Sequence, residues 1–105
     1  MIRGDVHEIT VPRRRGHVQH GGRYAVIVQA DDLLALSTVI VCPTSQSALS
    51  ASFRPEIGVA GKETRVLCEM VRAVDVRSLG DRVGHMTVDE IASVDDALEL
   101  VLALS

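Results

Sequence analysis

A chain of 105 residues, 47% of them apolar, has room for one domain with a single core, spanning 1–105, and not for two independent ones. Its apolar residues are almost all Val, Leu, Ala and Ile, with one Tyr, one Phe and no Trp, which removes the aromatic platforms on which single-strand binders stack bases. A net charge of −3 excludes a generally basic nucleic-acid binder, so any nucleic acid has to be held locally, through its phosphates. Up to Arg23 the chain carries Arg3, Arg13, Arg14, Arg15 and Arg23 against Asp5 and Glu8. Residues 87–105 carry Asp89, Glu90, Asp95, Asp96 and Glu99 and no base, so one end attracts an anion and the other repels it.

Taken in order, Ile2 to Val11 reads as a first strand ended by Pro12. A polar loop from Arg13 to Gly22 follows, in which Gly16, Gly21 and Gly22 let the backbone turn sharply or come close to a ligand. Arg23 to Gln29 reads as the second strand. Its uninterrupted apolar run from Tyr24 to Val28 calls for cover on both faces, which would fix Arg23 rigidly at the mouth of the loop. A short helical segment at Asp31 to Leu36 precedes a β-branched strand, Thr38 to Val41, which Pro43 should end. Thr44 to Ser52 has the composition of a surface loop whose hydroxyls can face a ligand. Phe53 to Val59 contains Pro55 and is placed at a sheet edge.

After a turn at Gly61 to Glu63, the stretch Thr64 to Val74 reads as one long strand. Alternation then sets Val66, Cys68 and Met70 on one face, with Arg65, Leu67, Glu69 and Val71 on the other. Val76 to Leu79 and Val83 to Met86 read as short strands separated by a Gly80-Asp81 turn. Thr87 with Glu90 three residues on is a capping box, and Met86 and Ile91 flank it as a hydrophobic staple. Ile91, Val94, Leu98, Val101 and Leu102 recur at helical spacing behind it, giving a terminal helix with one face on the sheet and an acidic face outward. Cys42 and Cys68 lack the close pairing of a zinc or redox motif and read as reduced core residues. Neither a signal peptide nor a membrane-length apolar run is visible, so the expectation is a soluble cytoplasmic protein with no membrane association. The fold expected from short strands and one terminal helix is mainly β, a small, strongly bent sheet or partly open barrel.

Four stretches together resemble the MazF/PemK/Kid toxins of type II toxin–antitoxin modules, over essentially the whole chain. They are Arg3-Gly4-Asp5-Val6; Gly16-His17 through Gly21 to Arg23 before an apolar strand; Thr38 to Ser45, ending Pro43-Thr44-Ser45; and Glu69 with Arg72 and Asp75. The Asp95-Asp96-Ala97-Leu98 helix fits as well. The resemblance implies the small SH3-like, partly open barrel with a C-terminal helix that MazF and CcdB share, a homodimer, and a MazE-like antitoxin whose extended, often acidic tail lies in the active-site groove. It further implies sequence-selective cleavage of single-stranded messenger or transfer RNA without metal or cofactor. In that chemistry the 2′-hydroxyl attacks, leaving a 2′,3′-cyclic phosphate and a 5′-hydroxyl.

By the same resemblance Arg23 is the catalytic arginine, suited by its planar fork to a phosphate, and Ser45 is the catalytic hydroxyl. His17 is a helper with a near-neutral pKa, and Glu69 acts as base or orients Arg23. RNA contacts fall to the two loops, through Arg13, Arg14, Arg15, His20, Thr44 and Gln46. The chain departs from the family at Val18, where many members carry an acid, at Leu67, where Kid-like members carry a second arginine, and at Met70, which replaces a common glutamine. Glu69 is alternatively just a strand carboxylate paired with Arg65 or Arg72. The competing function is a CcdB-like gyrase poison of the same fold without catalysis. Those proteins act through an aromatic C-terminal end, whereas this chain ends Leu102-Ala103-Leu104-Ser105.

Overall fold

A computed structural model describes residues 1–10 and 23–104. Within them lie seven strands and one helix: β1 (Asp5–Ile9), β2 (Tyr24–Ile27), β3 (Thr38–Ser45), β4 (Glu56–Val59), β5 (Lys62–Val66), β6 (Arg72–Asp75), β7 (Leu79–His85) and α1 (Val88–Leu102). The strands form one antiparallel, half-barrel sheet in the order β4-β5-β3-β2-β1-β7, with β6 beside β3. The expected mainly β fold with a C-terminal helix is the observed one.

Strand β2 is the central plank, and its apolar run is explained by two cores. Val26 and Val28 face a cluster that includes Val6, Cys42, Val66 and Cys68 and is closed by Val94 and Ala97 of α1. Ala25 and Ile27 face the opposite cluster, with Val39, Val41 and Val74. Each such fully buried Val or Ile contributes about 1.5–3 kcal/mol relative to an exposed one. A strand covered on both sides is therefore rigid, and it carries Arg23 one residue before its start.

At the N-terminus the strand is shorter than the expected Ile2 to Val11. Gly4, with φ of 94°, turns the chain, and an added Cβ there would meet Ile91 Cδ1 at 2.9 Å. The Asp5 carboxylate accepts from Ile2 N (2.9 Å), Arg82 Nε (3.0 Å) and His85 Nδ1 (2.8 Å), tying the turn to β7. Arg3 donates from Nε to the Val28 carbonyl (2.8 Å) and from Nη2 to Asp95 (2.7 Å), so the Arg3-Gly4-Asp5 triplet is a clamp between β1, β2, β7 and α1.

Three other expectations are corrected. Pro43 does not end β3, which runs on to Ser45. Pro43 pairs with Ala25, and its carbonyl accepts from Leu67 N (2.9 Å) on the far edge. In a strand a residue's N–H and C=O point the same way, so the missing N–H falls on the edge where the ladder of β3 with β5 and then β6 is interrupted, and no bond to β2 is lost. The interruption is the second correction. Thr64 to Val74 is not one strand: β5 pairs with β3 up to Val66–Thr44, β6 resumes at Arg72–Val41, and the surplus residues coil into a 3-10 turn at Cys68–Met70. The expected two-face alternation fails there, since Cys68 is fully buried and Met70 is 51% exposed. Third, Gly80 does not turn the chain; it lies inside β7, where a Cβ would sit 3.1 Å from Glu8 Cβ, and Val76–Ser78 is a 3-10 turn.

The β4–β5 hairpin closes on Ala60 and Gly61, both with positive φ, as a tight two-residue turn requires, and β4 is an edge strand as Pro55 implies. The capping box is present: Glu90 N donates to Thr87 Oγ1 (3.1 Å) and Thr87 N to Glu90 Oε1 (2.9 Å). Ile91, Val94, Leu98 and Val101 face the core, but Ala97 takes the place expected of Leu102, which is exposed at the helix end. Among the described residues no helix is long and apolar enough to cross a membrane.

Candidate active site

Ala25 lies opposite Pro43 in the β2–β3 register. Arg23 and Ser45 each lie two residues beyond that pair, toward the same end of the sheet. Both residues line one cavity of about 580 Å³ at the end of the sheet, between the start of β2, the end of β3 and the β4–β5 hairpin. Arg23 is exposed and makes no side-chain hydrogen bond or ion pair among the described residues. Its backbone is held, because Ile9 N donates to its carbonyl at 2.9 Å. Ser45 is half-buried, with its Oγ 3.4 Å from that of Ser47.

Thr44 and Gln46 border the same cavity, but in different ways. Thr44 is buried, 7% exposed, and its hydroxyl donates to the Tyr24 carbonyl (3.3 Å), which braces β3 against β2. Gln46 is exposed and its side chain has no hydrogen-bond partner among the described residues. A residue that sequence reading missed, Lys62, opens β5 and adds a second cation to the lining. No carboxylate is found among the described lining residues, so the local field favours an anion despite the net negative charge. Only the hairpin register brings Lys62 here, and nothing in its sequence neighbourhood marks it.

Glu69 does not line this cavity. Its Oε2 accepts from Arg54 Nε (2.9 Å) and Nη2 (2.5 Å), and its buried Oε1 has no partner among the described residues. The expected partners are corrected accordingly: Arg65 instead bonds Glu56 (2.6 Å) and the Arg54 carbonyl (3.1 Å). The Arg54 guanidinium also lies 5.4 Å from the Phe53 ring centroid and donates to the Leu49 carbonyl (3.1 Å), so the pair fastens the segment after β3 to the 3-10 turn. Hydrogen bonding from Arg54 outweighs burial and holds the Glu69 carboxyl below its ordinary 4.5. A carboxyl depressed by folding stabilises fully above its unfolded pKa and loses that contribution as pH falls through the folded value. Arg54→Met should therefore raise the Glu69 pKa in a carboxyl-detected NMR titration, and narrow the loss of stability below pH 4.5; an unmoved Glu69 titration would contradict the assignment.

His17, His20, Arg13, Arg14 and Arg15 lie outside the described residues. Among the described residues no group of three or more His, Cys, Asp or Glu gathers as a metal site would. Cys42 and Cys68 are free and buried in the α1-facing core, and the neighbouring Cys68 sulfur together with burial pushes the Cys42 thiol up.

A profile of the PemK-like, MazF-like toxin of type II toxin–antitoxin systems matches residues 2–102. The Mycobacterium tuberculosis protein Rv3098A/RVBD_3098A is 39% identical over 106 residues, covering 99% of both chains. Endoribonuclease EndoA of Bacillus subtilis is 28% identical over 109 residues, covering 97% of this chain and 94% of its own. Among solved structures, MazE–MazF of Deinococcus radiodurans (Form-II) superposes with a TM-score of 0.83 at 22% identity, covering 100% of this chain and 97% of that one. The match along almost the whole chain, on a half-barrel with the same terminal helix, makes this chain a member of the PemK-like, MazF-like toxin family of type II toxin–antitoxin systems.

Proposed function

We propose that the chain is an endoribonuclease toxin that cleaves single-stranded RNA without a metal, using Arg23 and Ser45 on one phosphodiester. The observation that carries this reading is their meeting in a cavity that holds two cations and no carboxylate among its described lining residues. The 2′-oxygen loses its proton and bonds to phosphorus, the bond from phosphorus to the 5′-oxygen breaks, and that oxygen takes up a proton. The products are a 2′,3′-cyclic phosphate and a 5′-hydroxyl. Charge builds on the phosphoryl oxygens during the step, and a preplaced guanidinium with a neighbouring hydroxyl donor stabilises it. An imidazole suits proton transfer near neutrality, and His17 is the proposed proton carrier.

The similarity to a MazE–MazF structure supports an antitoxin partner for this chain; in the proposed reading that antitoxin silences the toxin through an extended acidic tail laid along the Arg23 groove, and the toxin is itself a homodimer. EndoA, an endoribonuclease by name, supports the activity. Incubating purified protein with single-stranded RNA in EDTA, followed by end analysis, tests it: fragments with cyclic phosphate and 5′-hydroxyl ends are expected. Intact RNA, or cleavage that appears only with added divalent metal, would contradict it.

A further inference from the structure

Beside the Arg23–Ser45 cavity lies a smaller one of about 290 Å³, and the two share Gln46 and Thr64, so they adjoin as a groove that wraps around the edge of β5. Its origin is in the strand pairing. β3 and β5 pair only at Thr44–Val66 and Ser45–Arg65. Beyond Ser45 the chain leaves β5, and among the described residues the half of β5 from Lys62 to Thr64 keeps its ladder on the β4 side alone. Side chains alternate along a strand, so Lys62 serves the first cavity on one face of β5 while Glu63 and Arg65 serve the second on the other.

The groove changes sign along its length. Its first half has Arg23 and Lys62. In the second half the Arg65 guanidinium is spent on Glu56 and on the Arg54 carbonyl. Glu63 is left as a carboxylate with no hydrogen bond or ion pair among the described residues, in a cavity it shares with the unengaged amide of Gln46. A phosphate is repelled from this half, so the part of a nucleotide that fits it is the base. The two oxygens of a carboxylate accept a pair of parallel N–H donors. The Watson–Crick edge of guanine offers such a pair, N1–H and the N2 amino group. Uracil offers one N–H between two carbonyls, and adenine and cytosine set a ring acceptor beside the amino group, which the carboxylate opposes. Unpaired bases read along this edge are the usual source of sequence specificity on single-stranded RNA.

We propose that Glu63 is the specificity-determining residue of a base-reading subsite that takes an unpaired guanine flanking the scissile phosphate, with the Gln46 amide donating to the guanine O6. The proposal rests on the ribonuclease reading above. Its test uses two readouts. In the first, wild-type protein and Glu63→Gln cut a randomised single-stranded RNA pool, and the new ends are sequenced. Guanine should be enriched at one position flanking the wild-type cut, and that enrichment should fall about 10-fold in Glu63→Gln, in line with the loss of one bidentate base contact. Identical base preferences in the two proteins, or wild-type cutting indifferent to guanine, would overturn the subsite while leaving the ribonuclease. In the second, guanosine and uridine 5′-monophosphates are titrated into each protein and followed by backbone amide NMR. Guanosine monophosphate should move Gln46, Glu63 and Arg65 more than uridine monophosphate does, and Glu63→Gln should abolish the difference. This readout needs no cleavage: a protein that cuts no RNA but passes it overturns the ribonuclease reading and keeps the subsite, whereas equal shifts with both nucleotides overturn the subsite.

Discussion

Arg23→Ala is expected to lower RNA cleavage by about 10²–10³-fold, the usual cost of removing one preorganised charge-stabilising donor from a transition state. The protein should remain folded. The Arg23 side chain is exposed and makes no hydrogen bond or ion pair among the described residues, and the bond that holds its backbone, from Ile9 N to its carbonyl, does not depend on the side chain. Arg23→Lys should fall between wild type and alanine, because an ammonium keeps the charge but not the planar fork that engages two phosphoryl oxygens. Single-turnover cleavage measured beside thermal unfolding separates the two effects. Full activity of Arg23→Ala would remove this residue from the mechanism; a collapse of the melting midpoint would mean that Arg23 serves the fold instead.

The largest effect on stability is expected at Asp5. Its side chain is 3% exposed, and its two oxygens accept from Ile2 N, Arg82 Nε and His85 Nδ1. Asp5→Ala leaves all three donors without an acceptor at the junction of β1 and β7. Breaking a fully buried charged pair costs about 3–5 kcal/mol. Arg82 and His85 are 56% and 35% exposed and can turn to water, so the expected loss is smaller, about 2–3 kcal/mol. For a domain of this size that corresponds to a fall of about 10–20 °C in the melting midpoint at fixed protein concentration.

The pH dependence has a definite sign. Burial pushes the Asp5 carboxyl up, but the bonds from Ile2, His85 and Arg82 outweigh it and hold the group below its ordinary 3.8. The stabilisation is therefore complete above pH 3.8 and lost as pH falls through the depressed value, so wild type and variant should converge only in that acid range. A constant gap down to the lowest pH would show that the lost contacts are not those of the ionised carboxylate.

Much of the frame was legible because local rules and tertiary structure agree there. The apolar run of β2 demands cover on both faces and has it, and Thr87 with Glu90 caps the helix that the apolar spacing marks out. The misses come from non-local pairing. Pro43 looks like a strand end until its missing N–H is seen to face an interrupted ladder. The stretch from Thr64 to Val74 looks like one strand because alternation says nothing about how many residues β3 can pair, and the surplus coils into the turn that delivers Glu69 to Arg54. At the candidate site, Arg23 and Ser45 could be named from the family pattern. Lys62 could not, because only the β4–β5 hairpin brings it to the cavity.

The central claim is that Arg23 and Ser45 act together on one phosphodiester, and a double-mutant cycle on cleavage tests it most directly. Residues that act as a unit are strongly non-additive. Arg23→Ala, Ser45→Ala and the double variant, compared by single-turnover rate on one RNA, should give a double variant little slower than the slower single one. A double variant whose loss is the full product of the two single losses would contradict the account, since it would mean that the two side chains work independently.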